Sequence, residues 1–237
     1  MVKSKRKRPP EVVTVSSELD VISVRGGQTG SLLSIAGEPV LVDSSDYSGS
    51  LGWLAERYLA PPVAGDLHLL TEWVDEAQWQ RLRAWLADPT PVERLADPLA
   101  PLLEILEDGK YTLRLTPVSD IRIVAVDCAK PVGWYRGGFE QPEDVEVIPT
   151  HWWPPPDAER IEHYRRQLIA AGRPAAVLLA HSAGAIWYLL DGHHKVAAYQ
   201  MRGLDPVCVT IERQPPHRIR PRAMPHSWPD NRPIWES

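Results

Sequence analysis

The chain contains little cysteine, with only Cys128 and Cys208 among its 237 residues. Two cysteines cannot form the multiple disulfides of a small secreted scaffold, so we expect a reducing, cytoplasmic environment. Cys208 lies in the apolar run 207–209, which predicts a small residue buried in a strand. Cys128 has no such apolar surroundings, and an exposed position is compatible with its sequence.

The sequence also lacks a membrane-spanning run and a net positive charge. Its basic first residues are followed by Pro9 and Pro10 instead of the apolar stretch of a secretion signal, so neither secretion nor a membrane partner is expected. A formal net charge of -5 excludes a basic field over the whole protein of the kind that attracts nucleic acid.

Phenylalanine is nearly absent, whereas tryptophan is abundant: there is 1 Phe and there are 10 Trp. This balance favours amphipathic, partly exposed aromatic side chains over a core filled with Phe. The 24 prolines predict long stretches of irregular surface chain. Charged residues make up 24% of the chain, as is usual for a globular protein.

The pattern of apolar residues predicts an α+β protein with two domains. An N-terminal mixed strand and helix domain covers 11–140, and a small α/β domain covers 141–213. A basic tail precedes them at 1–10, and a Pro/Arg-rich tail follows at 214–237. Within the first domain, short β-like runs are predicted at 12–15, 21–24, 31–35 and 40–42, helices within 50–108, strands at 111–117 and 120–126, and a loop at 131–143.

The second domain has a clearer order of elements. The predicted elements are a strand at 145–148, a helix capped by Asp157 and ended by Gly172, strands at 176–180 and 186–190, a helix at 193–201 ended by Gly203, and a strand at 207–211.

The segment Asp191-Gly192-His193-His194-Lys195 carries the strongest chemical signal. A strand that enters a helix through glycine leaves backbone N–H groups at the helix N-terminus, where the helix dipole favours an anion. We therefore predict a phosphate site with donors from Gly192, His193 and His194 and a cation from Lys195. Asp191 and Lys195 are both expected to face solvent. The alternative is a simple turn with a solvated lysine.

This segment, followed by Ala197-Ala198-Tyr199 and by Gly203-Leu204 before the strand at 207–211, resembles the ParB/sulfiredoxin superfamily. The resemblance covers 145–212. It implies nucleotide binding at the turn, with ATP, ADP or CTP and Mg²⁺ as cofactors, and phosphotransfer or nucleotide hydrolysis are the reactions that such a site could support. Free-serine kinases of the superfamily carry a similar Asp-Gly-His-x-Arg, and Lys195 replaces that arginine here.

The roles implied for this chain are catalysis by Asp191, His193 and Glu146, with Asp191 also holding Mg²⁺ or orienting a substrate hydroxyl. Glu146, Glu159 and Glu162 are candidates for the base. The turn has no cysteine, so sulfiredoxin chemistry is not expected. Only 213–237 follow this unit, so the DNA binding of chromosome-segregation members through a helix-turn-helix domain is not expected.

Two other functions remain open. A non-enzymatic module could bind nucleic acid through the basic N-terminal tail and Arg218, Arg220 and Arg222. The run Ala180-His181-Ser182-Ala183-Gly184 is similar to the nucleophile turn of a serine hydrolase, with Asp205 and His217 or His226 completing a triad. A metal bound by both His193 and His194 is disfavoured because adjacent helical residues point about 100° apart. The oligomeric state is not predicted.

Overall fold

The structure, a computed structural model, describes residues 9–27, 30–45, 53–57, 73–119, 121–123, 132–135, 145–149, 157–182 and 186–214. These residues form two β-sheets and four α-helices, which confirms the predicted α+β class. The residues outside these ranges include 1–8, Cys128 and 215–237. The last of these segments contains His217, His226 and the three arginines proposed to bind nucleic acid.

The larger sheet has seven strands. In spatial order they are β1 (Glu11–Val15), β6 (Gly109–Pro117), β12 (Val207–Arg213), β10 (Ala176–His181), β11 (Trp187–Asp191), β9 (Val145–Pro149) and β7 (Ile121–Ile123). The pairs β10–β12, β11–β9 and β9–β7 are parallel, and the remaining pairs are antiparallel. Strands from both sides of residue 140 therefore share one sheet.

The smaller sheet has five strands, all antiparallel to their neighbours. They are β2 (Ile22–Gly27), β3 (Gly30–Ile35), β4 (Glu38–Ser45), β5 (Trp53–Arg57) and β8 (Val132–Tyr135). The prediction of helix was wrong for β5, and that of a loop was wrong for β8. These two strands pair with each other, so a contact distant in sequence decides their conformation.

The helices are α1 (Glu76–Ala87), α2 (Ala96–Leu103), α3 (Ala158–Ile169) and α4 (His193–Met201). Aspartates cap two of them: Asp75 Oδ2 accepts from the Gln78 amide at 3.1 Å, and Asp157 Oδ1 accepts from the amides of Glu159 and Arg160 at 2.9 and 3.1 Å. The predicted cap at Asp157 and the helix boundaries of α4 are confirmed.

Both faces of the larger sheet are buried, because alternate residues of its central strands enter different cores. Val177 and Leu179 pack in the core shared with α1, α2 and the smaller sheet, whereas Ala176 and Leu178 pack on the opposite face with Val196 of α4. Cys208 is fully buried in this second core, and burial raises the pKa of its thiol to about 12, as expected for a structural cysteine.

The smaller sheet contacts the larger one through its first two strands. The Ser31 hydroxyl lies 2.7 Å from the Tyr188 hydroxyl in a buried hydrogen bond that joins β3 to β11. A Cβ at Gly26 would lie 2.9 Å from the His181 Cβ, so glycine is needed for the close approach of β2 to β10. None of the helices in the described ranges is both long and apolar enough to cross a lipid bilayer.

Candidate functional site at the N-terminus of α4

The turn from β11 into α4 depends on Gly192. Its φ of +100° lies in the left-handed region, and a Cβ there would lie 2.8 Å from both Cα and Cβ of Ala176 in β10. The helix begins at once, since the Val196 amide donates to the Gly192 carbonyl at 2.8 Å. Glycine is thus required both by the backbone conformation and by the contact with the neighbouring strand.

Lys195 points inward beneath this turn. The residue is only 6% exposed, and its Nζ donates to the Ala175 carbonyl at 2.8 Å and to Asp191 Oδ2 at 2.7 Å. The expectation that Lys195 faces solvent is therefore wrong. Its aliphatic stem packs under Gly192, and its ammonium lies 6.0 Å from the centre of the Tyr164 ring of α3, within the range of a cation–π contact.

Asp191 connects this buried ammonium to the surface. Its side chain is 38% exposed, so one carboxylate group contacts both Lys195 and solvent. The pair has no net charge, which reduces the repulsion that an isolated carboxylate would exert on an anion near the turn. Lys195 consequently fixes the orientation of Asp191 and neutralises its charge.

His194 joins the N-termini of α3 and α4. Its Nε2 accepts a hydrogen bond from the Asp157 amide at 3.3 Å, which requires that Nε2 be unprotonated. Burial lowers the pKa of His194, and the nearby positive charge of Arg160 lowers it further, although Asp157 and Asp191 act in the opposite direction. His193, by contrast, is buried.

The N-terminus of α4 has no side-chain cap, whereas those of α1 and α3 are both capped by aspartate. The amides of the first turn and the positive end of the helix dipole therefore lie beside Gly192 without a carboxylate bound across them. The direct start of the helix after glycine is as predicted, whereas the Lys195 ammonium is buried beneath the turn instead of facing solvent beside these amides.

The three glutamates proposed as bases lie on two different elements, Glu146 on β9 and the other two on α3. Glu146 immediately precedes Val147, which pairs with Trp187 at the start of β11, so its backbone lies roughly 15 Å from Asp191 at the strand's other end. Glu162 bonds Arg165 at 2.6 and 3.0 Å, and this hydrogen bond lowers its pKa, which makes it a weaker base. Glu159 lies exposed in the first turn of α3.

The described residues contain no group of three histidine, cysteine, aspartate or glutamate side chains arranged to hold a metal ion. Asp191, His193 and His194 therefore do not form such a group of three. A divalent cation at Asp191 would need its other ligands from water and from a bound phosphate.

Ser182 lies at the opposite end of the strands from the Gly192 turn, because β10 and β11 are antiparallel. It follows the carboxyl end of β10, where its amide donates to the Arg213 carbonyl at 2.9 Å. Asp205 precedes β12, and because β10 and β12 are parallel, these two residues lie at opposite ends of the sheet. The structure thus does not bring Asp205 to Ser182, and the two histidines proposed for the triad lie outside the described residues.

No family model matches this chain, and neither a curated protein nor a solved structure matches it. The resemblance to the ParB/sulfiredoxin superfamily accordingly stays an interpretation of residues 145–212. The Ala175 carbonyl could not be predicted as a partner of Lys195, since a backbone acceptor 20 residues away has no local signal in the sequence.

Proposed function

We propose that this protein binds nucleotide phosphates at the N-terminus of α4, in a small α/β unit of the ParB/sulfiredoxin type. The observation that carries the proposal is the direct entry of β11 into α4 through the left-handed Gly192, without a side-chain cap on the helix. Helix N-termini that follow a strand and a glycine turn bind phosphate through backbone amides and the helix dipole.

In this proposal the backbone of His193, His194 and Lys195 binds the phosphate. The Lys195 ammonium does not contact it directly, because it is buried beneath the turn, where it donates to the Ala175 carbonyl and to Asp191. Its role is to hold Asp191 in place and to cancel its charge beside the incoming anion. This differs from an arginine, whose planar guanidinium would bind a phosphate with two hydrogen bonds.

Asp191 fits the role of a Mg²⁺ ligand that is shared with the nucleotide. Mg²⁺ prefers oxygen ligands and is commonly held by one or two carboxylates together with substrate phosphates and water. The bound ion would neutralise phosphate charge during phosphotransfer or hydrolysis. Without the ion, the same carboxylate is placed to orient a substrate hydroxyl.

A panel of ATP, ADP, CTP, GTP and inorganic triphosphate, each with and without Mg²⁺, tests binding by thermal shift. Ligand at 100 times its Kd should stabilise the fold by about 2.7 kcal/mol. Amide chemical shifts should change at Gly192–Lys195, and Ser182→Ala, at the opposite end of the strands, should bind like the wild type. Absence of a thermal shift with every ligand would refute the proposal.

Phosphate release measured with Mg²⁺ separates an enzyme from a binding module. Asp191→Asn should abolish turnover while leaving phosphate binding intact or tighter, because the Lys195 ammonium then keeps a positive charge that no carboxylate neutralises. Binding without turnover, together with salt-sensitive retention of DNA, would support the non-enzymatic alternative. Labelling of Ser182 by a fluorophosphonate, lost in Ser182→Ala, would instead establish a serine hydrolase.

A further inference from the structure

A groove of about 480 Å³ lies between the edge strand β1 and α2. Among the described residues, β1 pairs only with β6, so its other edge faces this groove. The strand contributes Val13 and Val15 to the lining, and Ala96 and Ala100 from α2 leave room on the opposite wall. Val12 is 64% exposed, which is unusual for a valine in a strand that covers a core.

Hydrogen bonds hold the groove open at both ends. At one end, Glu11 Oε2 accepts the Leu95 amide at 2.5 Å, which ties the start of β1 to the start of α2. At the other end, the Ser17 hydroxyl donates to the Glu104 carbonyl, and the Ser17 amide donates to Asp108 Oδ1 at 2.6 Å. The spacing of strand and helix is therefore fixed before any ligand binds, which lowers the cost of binding.

The charges around the groove are predominantly negative. Asp97 and Glu104 line it, and Glu11 lies at its end, whereas Arg94 is its basic lining residue. Arg94 lies 3.7 Å from Glu11 and 4.0 Å from Asp97, so one guanidinium stands against three carboxylates and a net negative charge remains. A second copy of this chain paired through β1 would bring two such acidic grooves together, which disfavours self-association.

We infer that this groove binds an extended peptide that carries a lysine or arginine side chain and adds to the larger sheet as a strand beside β1. The open edge of β1 would supply backbone hydrogen bonds, the apolar floor would accept alternate side chains, and Asp97 and Glu104 would attract the basic residue. An exposed sheet edge flanked by a helix is a recurrent site for this kind of recognition.

The test uses the full-length protein and the fluorescent peptide Ser-Thr-Val-Lys-Val-Thr-Val-Ser. We expect saturable fluorescence polarisation, with amide shifts at 12–16 and 96–104. Two further versions of this peptide carry N-methyl groups at alternate backbone nitrogens, one version for each of the two alternating sets. One of them should bind at least about threefold more weakly than the unmethylated peptide, because its N-methyl groups remove the hydrogen bonds that pair it with β1. A peptide with glutamate in place of lysine tests the role of charge.

Two variants in the groove and one control variant outside it test where the peptide binds. Ala100→Trp should fill the groove and reduce affinity at least about tenfold, whereas Met201→Trp, at an exposed position on α4, should have no effect. If Ala100→Trp lowers the melting temperature, Glu104→Lys is used instead. This variant should bind the glutamate peptide more tightly than the lysine peptide, the reverse of the wild type. Absence of binding at about 1 mM peptide, equal binding by the groove variants, or dimerisation through β1 would overturn the inference.

Discussion

The ammonium of Lys195 lies 2.7 Å from Asp191 Oδ2, one helical turn away along the chain, and is buried beneath the turn that Gly192 makes between β11 and α4. A buried charge of this kind is stable only with its partner present. The pair that is proposed to serve phosphate binding therefore also contributes to folding, and stability measurements must accompany every activity measurement at this turn.

The first prediction concerns this pair. Asp191→Asn should lower the free energy of unfolding by about 1–3 kcal/mol, because it leaves the Lys195 ammonium buried without a counter-charge. Lys195→Met keeps the apolar stem and removes the charge together with its need for a partner, so it should cost less. Urea unfolding of the two variants measures the difference. Equal stability of Asp191→Asn and the wild type would show that Asp191 does not stabilise the buried ammonium.

The second prediction concerns Gly192. Gly192→Ala should destabilise the protein by about 2–4 kcal/mol, since it combines a left-handed backbone with a Cβ 2.8 Å from Ala176. Gly203 is a matched control, because its φ is +60° but no atom lies within 4 Å of an added Cβ. Gly203→Ala should cost only about 1–2 kcal/mol. Comparable losses in urea unfolding would show that backbone strain, and not the contact with β10, makes glycine necessary.

The elements around the candidate site could be predicted because their signals are local. Asp157 is a strong helix cap, Gly192 and Gly203 bound the helix of 193–201, and the apolar runs at 176–180 and 207–211 are typical of strands buried on both faces. In each case a few adjacent residues determine the conformation, and the structure has these elements at nearly the predicted bounds.

The pairing of the strands and the inward position of Lys195 could not be predicted in this way, because they depend on contacts between distant parts of the chain. The pairing of Leu113 with Ile211 places a strand from the N-terminal half within the larger sheet, and the Lys195 side chain is drawn inward by the Ala175 carbonyl. Strand 121–123 follows strand 109–117 with a turn signal between them, yet it pairs with 145–147 instead. Local periodicity does not specify a strand's partner.

The third prediction concerns pH and His194. The neutral imidazole accepts the Asp157 amide, and burial lowers its pKa below the ordinary value of 6.5. Its contribution to stability is therefore present above pH 6.5 and is lost as the pH falls through the lowered pKa. In urea unfolding between pH 8 and pH 5, the wild type should lose more stability than His194→Gln. His163→Gln, an exposed position on α3, should follow the wild type; parallel curves for all three proteins would contradict this prediction.

A buried ion-pair cluster lies where the larger sheet meets β2. The Glu107 carboxylate accepts hydrogen bonds from two arginines: Arg213, which is fully buried, and Arg25, whose side chain is 30% exposed and lies at 3.1 Å. The Arg213 guanidinium also donates to the Asp108 carbonyl at 2.6 Å and lies 5.9 Å from the centre of the Tyr111 ring. Arg213 therefore joins the end of β12 to the loop before β6.

The last prediction uses the different burial of these two arginines around one carboxylate. Arg213→Met should lower the free energy of unfolding by about 3–5 kcal/mol, because the Glu107 carboxylate then loses its buried partner and the Asp108 carbonyl loses a donor. Arg25→Met should cost about 1 kcal/mol or less, since solvent weakens a partly exposed pair. The double variant Arg213→Met with Glu107→Gln should recover part of the loss, because both members of the buried pair are then neutral. Urea unfolding of the four proteins at pH 7 provides the comparison. If Arg25→Met is as destabilising as Arg213→Met, the stability of the cluster comes from the number of charges around Glu107, and the burial of Arg213 is not its cause.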